Sequence, residues 1–233
     1  MKKLIRFHIK NLSPGMLQNP ATPELLNLLR TGDRKQKKTD WTIEEEARTK
    51  LYRSEKGLDE SPGKMGVPMQ NIISAMVIAG QSVKVGKKNL STAKATRVFE
   101  FLEFVEDFCP FAGTDKDGNV PWNPFPVKGT MHNGASEVAV CITRPRIPHW
   151  ELSFTVKYDD SRQVPQDAIV KLVEIAGRQV GLGDWRPQKK GRFGRFVITK
   201  VEVLPLDEKE EKAEVMEYTP TTAPKEMLAL AEA

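Results

Sequence analysis

The chain has 233 residues, 39% hydrophobic and 29% charged, with a formal net charge of +5. That suits a globular protein of one or two domains with a sizeable core, and no stretch approaches the ~20 apolar residues of a membrane-spanning helix. Two widely separated cysteines, Cys109 and Cys141, exclude a disulfide framework or a cysteine-based zinc site and point to a reducing cytoplasm.

The charge is unevenly spread. Residues 205–233 hold eight acidic side chains and three lysines, which leaves +10 for residues 1–204. A basic body with an acidic tail points to a polyanionic partner. The opening MKKLIRFHIKNLSPG begins like an export signal, but Arg6, His8 and Lys10 interrupt its apolar residues. The segment is therefore predicted to be a strand, with no signal peptide.

Residues 4–10 alternate strictly, Ile5, Phe7 and Ile9 on one face and Arg6, His8 and Lys10 on the other. This period of two predicts a half-buried strand whose polar face is cationic. Pro14, Gly15 and Pro20 mark turns, Leu25–Leu29 is a short apolar segment, and residues 30–38 form a basic, solvated loop. Thr42 and Glu45 have the spacing of a capping box that opens a helix over residues 42–52. Val67–Val83 reads as a core helix, with Ile72, Ile73, Met76, Ala79, Gly80 and Val83 at helical spacing and Pro68 in the first turn.

Residues 84–135 are punctuated by Gly, Pro and Asn and are expected to be an insertion, with one ordered element within 98–108 and a turn at Asp115–Asn119. Val138, Val140 and Ile142 alternate as a strand, and Trp150, Leu152, Phe154, Val156 and Tyr158 as the next. Pro165–Val180 is predicted to be a helix buried through Ile169, Leu172, Val173, Ala176 and Val180, and Phe196–Leu204 a final strand. The order strand, helix, strand, strand, helix, strand predicts an α+β, ferredoxin-like (RRM-like) fold, an antiparallel sheet with helices on one face. One such domain over residues 1–204, with insertions at about 21–65 and 84–135, would precede a flexible acidic tail at 205–233.

The richest segment for function is Ala176 to Phe196, AGRQVGLGDWRPQKKGRFGRF. It carries Gly177, Gly181, Gly183, Gly191 and Gly194, and six cations, Arg178, Arg186, Lys189, Lys190, Arg192 and Arg195, opposed only by Asp184. Glycines allow close backbone approach and amide cradles for phosphate, and arginine adds bidentate phosphate contacts and stacking. Trp185, Phe193 and Phe196 either stack on unpaired bases or belong to the core. There is no GK[ST] of a Walker loop, and the segment follows a helix where a Rossmann turn would follow a strand, so no nucleotide cofactor is expected.

A ferredoxin-like order whose last helix and strand are joined by GLGDWRPQKKGRFGRF resembles the RAMP superfamily, the RNA-binding proteins of CRISPR effector complexes. LSPGMLQNP after the first strand and GVPMQNIISAMVIAG leading into a helix are similar to the starts of such proteins, and the chain also resembles phage and prophage proteins with this kind of ending. The resemblance covers residues 1–20, 66–83 and 136–204. It implies binding of single-stranded RNA or DNA, RNA above all, as a homo-oligomer or a subunit of a ribonucleoprotein, as the backbone subunits that coat guide RNA do. The binding residues would be Arg6, His8, Lys10, Arg178, Gly181, Gly183, Trp185, Arg186, Lys189, Lys190, Gly191, Arg192, Gly194 and Arg195.

His8, His132 and His149 are the only histidines, none in HExxH spacing or beside a cysteine, so no transition-metal site is expected. Some RAMP-like proteins cut RNA, and His8 or His149 as general base is the alternative to a surface histidine. Asp115, Asp117 and Asn119 lack the closing glutamate of a calcium loop and read as a turn. Two further readings stay open: a metal-independent endoribonuclease on the same fold, and an assembly or inhibitor protein whose basic loop docks an acidic partner.

Overall fold

The computed structural model describes residues 2–20, 42–55, 63–133 and 136–204. The apolar segment Leu25–Leu29, the basic cluster at 30–38 and the acidic tail at 205–233 lie outside the described residues. In chain order the elements are β1 (Lys2–Asn11), β2 (Met16–Leu17), α1 (Ile43–Arg48), β3 (Gly66–Pro68), α2 (Met69–Ala79), β4 (Lys84–Val85), β5 (Lys88–Asn89) and β6 (Leu102–Phe104). They continue with β7 (Phe108–Pro110), β8 (Asn123–Asn133), β9 (Ser136–Ile147), β10 (Glu151–Asp159), α3 (Gln166–Ile175) and β11 (Phe196–Leu204). The protein is a mixed α+β structure with antiparallel sheets.

The main sheet has four strands in the order β11–β1–β10–β6, every neighbouring pair antiparallel. Alternation in β1 sends Ile5, Phe7 and Ile9 into the core, where Phe7 stacks on Phe154 of β10 with ring centroids 5.3 Å apart. Ile72 and Met76 of α2 and Ile169, Leu172 and Val173 of α3 belong to the same apolar core. Proline starts both helices: Pro68 and Pro165 are the cap residues, with no amide to leave unpaired. The helix at 42–52 is shorter than its pattern predicts, ending at Arg48, and the Thr42–Glu45 capping box is present.

One strand assignment needs correcting. The alternation at Val138–Ile142 does mark a strand, β9, but it lies in a separate three-stranded sheet, β2–β9–β8. β8 and β9 pair along their length from Asn123↔Arg146 to Asn133↔Ser136. Pro145 near the end of β9 and Pro148 in the connection to β10 both lack amide protons. The place beside β10 is taken by β6, three residues within the stretch expected to be an insertion. Asp115–Asn119 is a turn, closed by Asp115 Oδ1 accepting from the amides of Asp117 and Asn119.

The open face of the sheet carries a ladder of mixed charge. His8 lies 3.1 Å from Glu202, Lys10 3.5 Å from Glu151, and Arg6 Nε donates to Thr155 Oγ1 at 3.3 Å. Lys200 also pairs with Glu202, and the hydrogen bonds from Lys200 and His8 hold the Glu202 carboxyl down at about 2. Since that carboxylate is more acidic folded than unfolded, its contribution is full above the ordinary glutamate range and fades as pH falls toward 2. Glu202→Gln is therefore expected to lower the thermal midpoint at pH 6, and the difference from wild type should shrink to nothing near pH 2. Melting curves across that range test it.

Candidate nucleic-acid interface

Helix α3 does not end cleanly. It passes into a wider π-turn, Ala176–Val180, closed by the Gly181 amide donating to the Ala176 carbonyl at 2.8 Å. The chain then folds onto itself. Leu182 donates to Gly194 O at 2.9 Å, Phe193 to Trp185 O at 3.0 Å and Gly191 to Arg186 O at 3.0 Å. The loop is anchored on β2 and the turn before it, where Asp184 donates to Leu17 O at 2.8 Å and Gly194 to Gly15 O at 2.7 Å.

These bonds explain the glycines differently from the expected phosphate cradle. The amides of Gly181, Gly191 and Gly194 are already donated inside the protein. A Cβ on Gly191 would sit 1.7 Å from Trp185 O, and one on Gly194 1.7 Å from Leu182 O, with Gly194 at φ +75° besides. Glycine lets the two sides of the loop touch. Gly194→Ala is accordingly expected to cost more than about 2 kcal/mol, seen as a fall of roughly 4–8 °C in thermal midpoint. An unchanged midpoint would contradict this packing.

The three aromatic residues divide. Phe193 is buried against Phe125, centroids 5.5 Å apart, and Phe196 against Trp150 at 6.3 Å. Trp185 is 40% exposed and stands at φ +47°, in the left-handed region that bulky residues avoid. The fold thus holds a strained backbone at the one aromatic of the loop that faces solvent.

The predicted binding residues form two groups with different electrostatics. Arg6, His8 and Lys10 sit mid-sheet, and His8 and Lys10 face carboxylates. Arg178, Lys189, Lys190, Arg192 and Arg195 are exposed around the loop, and none of them pairs with a carboxylate among the described residues. Asp184, the only acid of the segment, is taken by the half-buried Arg144 of β9. Arg192 lies 5.6 Å over the Phe193 ring. Arg186 is drawn inward, donating to Gly183 O at 2.8 Å and to Gln188 Oε1 at 3.1 Å.

Behind the loop lies a polar cleft of about 200 Å³, bounded by Asn19, Tyr52, Asn71, Ser74, Arg186 and the backbone of Gly181 and Gly183. Gln18 is tied to one of these residues. Fully buried, it donates to Gly66 O and accepts from the Tyr52 amide, both at 2.8 Å, so it fixes Tyr52 beside the loop. Sequence reasoning missed Gln18, Asn19, Tyr52, Asn71 and Ser74. The only visible signal was Asn71 and Ser74, two polar residues three apart on a helix whose one other polar residue is Gln70.

Among the described residues no cluster of His, Cys, Asp and Glu is arranged to hold a metal, and no helix is long and apolar enough to cross a membrane. Cys109 is buried and its thiol is pushed up to about 12 by burial and the nearby Glu106. His149 is exposed beside Trp150, and the His132 side chain lies outside the described residues.

No protein-family model matches the chain, and no curated protein matches it. Among solved structures it matches a chain of the cryo-EM structure of the Type III-B Cmr-beta bound to cognate target RNA, at 12% identity and a TM-score of 0.46. The match covers 87% of this chain and 61% of the other, so this chain spans about three fifths of that chain's length.

Proposed function

We propose that this protein binds single-stranded nucleic acid, RNA in preference to DNA, across the loop at residues 181–195. The observation that carries the reading is the contrast between the two cationic surfaces. The sheet-face side chains His8 and Lys10 each have a carboxylate beside them, whereas the loop presents exposed cations without a carboxylate beside them and an exposed tryptophan held among them. Lysine and arginine would take the phosphates, and Trp185 would stack on a base.

The strand order β11–β1–β10–β6, with α2 and α3 after the first and third strands, supports the ferredoxin-like reading. With the loop between α3 and β11, it also supports a RAMP-type subunit of a ribonucleoprotein. Several copies side by side along one strand would fit that role.

The test compares the two surfaces by fluorescence anisotropy with labelled single-stranded RNA and DNA. Arg6→Ala with Lys10→Ala is expected to change affinity less than threefold, whereas Lys189→Ala with Lys190→Ala should weaken it about tenfold or more. The reverse ranking would move the site to the sheet. Absence of binding to either nucleic acid would favour an acidic protein partner.

A further inference from the structure

The cleft behind the loop differs in chemistry from the cationic loop rim. Its lining includes two carboxamide residues, Asn19 and Asn71, together with Tyr52, Ser74, Asp184 and Arg186. Among the described residues the side chains of Asn19, Asn71 and Tyr52 make no hydrogen bond. Ser74 donates only to its own helix, to Gln70 O at 2.7 Å, which leaves its oxygen as an acceptor. Carboxamides offer a donor and an acceptor side by side, the pattern that pairs with the polar edge of a nucleobase. A tyrosine supplies a flat face, and Gln18 holds this one in place through its backbone.

Size and position narrow the ligand. At about 200 Å³ the cleft is smaller than the ~300–1,000 Å³ of sites that enclose drug-sized molecules, so it does not suit a dinucleotide cofactor. Arg186 lines the cleft and directly precedes the short turn Pro187–Lys189, so the rim of the cleft is continuous with the cationic loop. A strand running over Lys189, Lys190 and Arg192 would pass its bases across the opening.

Resting on the proposed function, we infer that the cleft takes one unpaired base of the bound strand and reads its edge through Asn19 and Asn71. The protein then has a base preference at one position per copy, on top of sequence-independent grip by the loop. Ser74, Arg186 and Asp184, the last already paired with Arg144, complete the polar lining, and Tyr52 packs against the base.

The test is recovery and sequencing of strands bound from a random-sequence single-stranded RNA pool. Wild type is expected to enrich one base about tenfold at one position. Asn71→Ala and Asn19→Ala should each flatten that enrichment while leaving the salt dependence of binding unchanged, because neither touches a phosphate contact. Lys189→Ala with Lys190→Ala should do the opposite, weakening binding while keeping the preference. Both asparagines are incompletely buried surface residues, so thermal midpoints should stay at the wild-type value. Strands retained with no base preference, or a preference that survives both asparagine substitutions, overturn the cleft and leave the loop's binding standing. No strands retained by wild type would overturn the binding itself.

Discussion

Replacing Lys189, Lys190 and Arg192 together with alanine is expected to weaken binding of a single strand roughly a hundredfold at low salt, and to leave folding intact. Each cation that neutralises a phosphate on a single strand contributes about −0.7 to the slope of log affinity against log salt. Loss of three such contacts should therefore reduce the slope by about 2. Folding survives because all three side chains are exposed and no carboxylate among the described residues relies on them. Affinity titrations at several salt concentrations measure both quantities. A triple variant with unchanged slope and affinity would take the loop out of the site.

The second large effect is at Trp185, where stability and binding should part company. Its φ of +47° is a conformation that glycine adopts freely and tryptophan at a cost of about 1–2 kcal/mol. Trp185→Gly removes that strain together with the contacts of a side chain that is 40% exposed, and the two effects oppose each other. The thermal midpoint should therefore move by only a few degrees. Stacking of a base on an aromatic ring contributes about 1–3 kcal/mol, so affinity should fall between roughly fivefold and 150-fold. A variant that melts earlier and binds normally would show that the tryptophan serves the fold instead.

Strong periodicity made much of this structure legible. β1, β10, α2, α3 and β11 could each be read from residues that repeat along one face, because burial against a common core imposes that repeat on the sequence. The fourth strand of the main sheet could not. β6 is three residues long, too short to alternate, and its place is set by pairing with residues more than fifty positions later. The visible alternation at 138–142 was consequently given a place in the wrong sheet.

The interface divided in the same manner. Cation density between Arg178 and Arg195 is a local property and was visible directly. The reason for the glycines was not, because it depends on which carbonyls meet across the folded loop, Trp185 O over Gly191 and Leu182 O over Gly194. The carboxylates beside His8 and Lys10 come from β11 and β10, far away in sequence. A face that reads as wholly cationic along one strand is thus a mixed ladder in the sheet. Tyr52, Asn19 and Asn71 meet only through tertiary packing, with Gln18 as the buried tie.

The central claim is that a single strand lies on the loop at residues 181–195, and ultraviolet cross-linking of bound RNA followed by peptide mass spectrometry tests it most directly. The main cross-linked peptides are expected to fall between Gln179 and Arg195, with Trp185 the most reactive position, and a second, weaker set to contain Tyr52. Cross-links confined to β1, β10 and the exposed face of β11, with none in the loop, would contradict it.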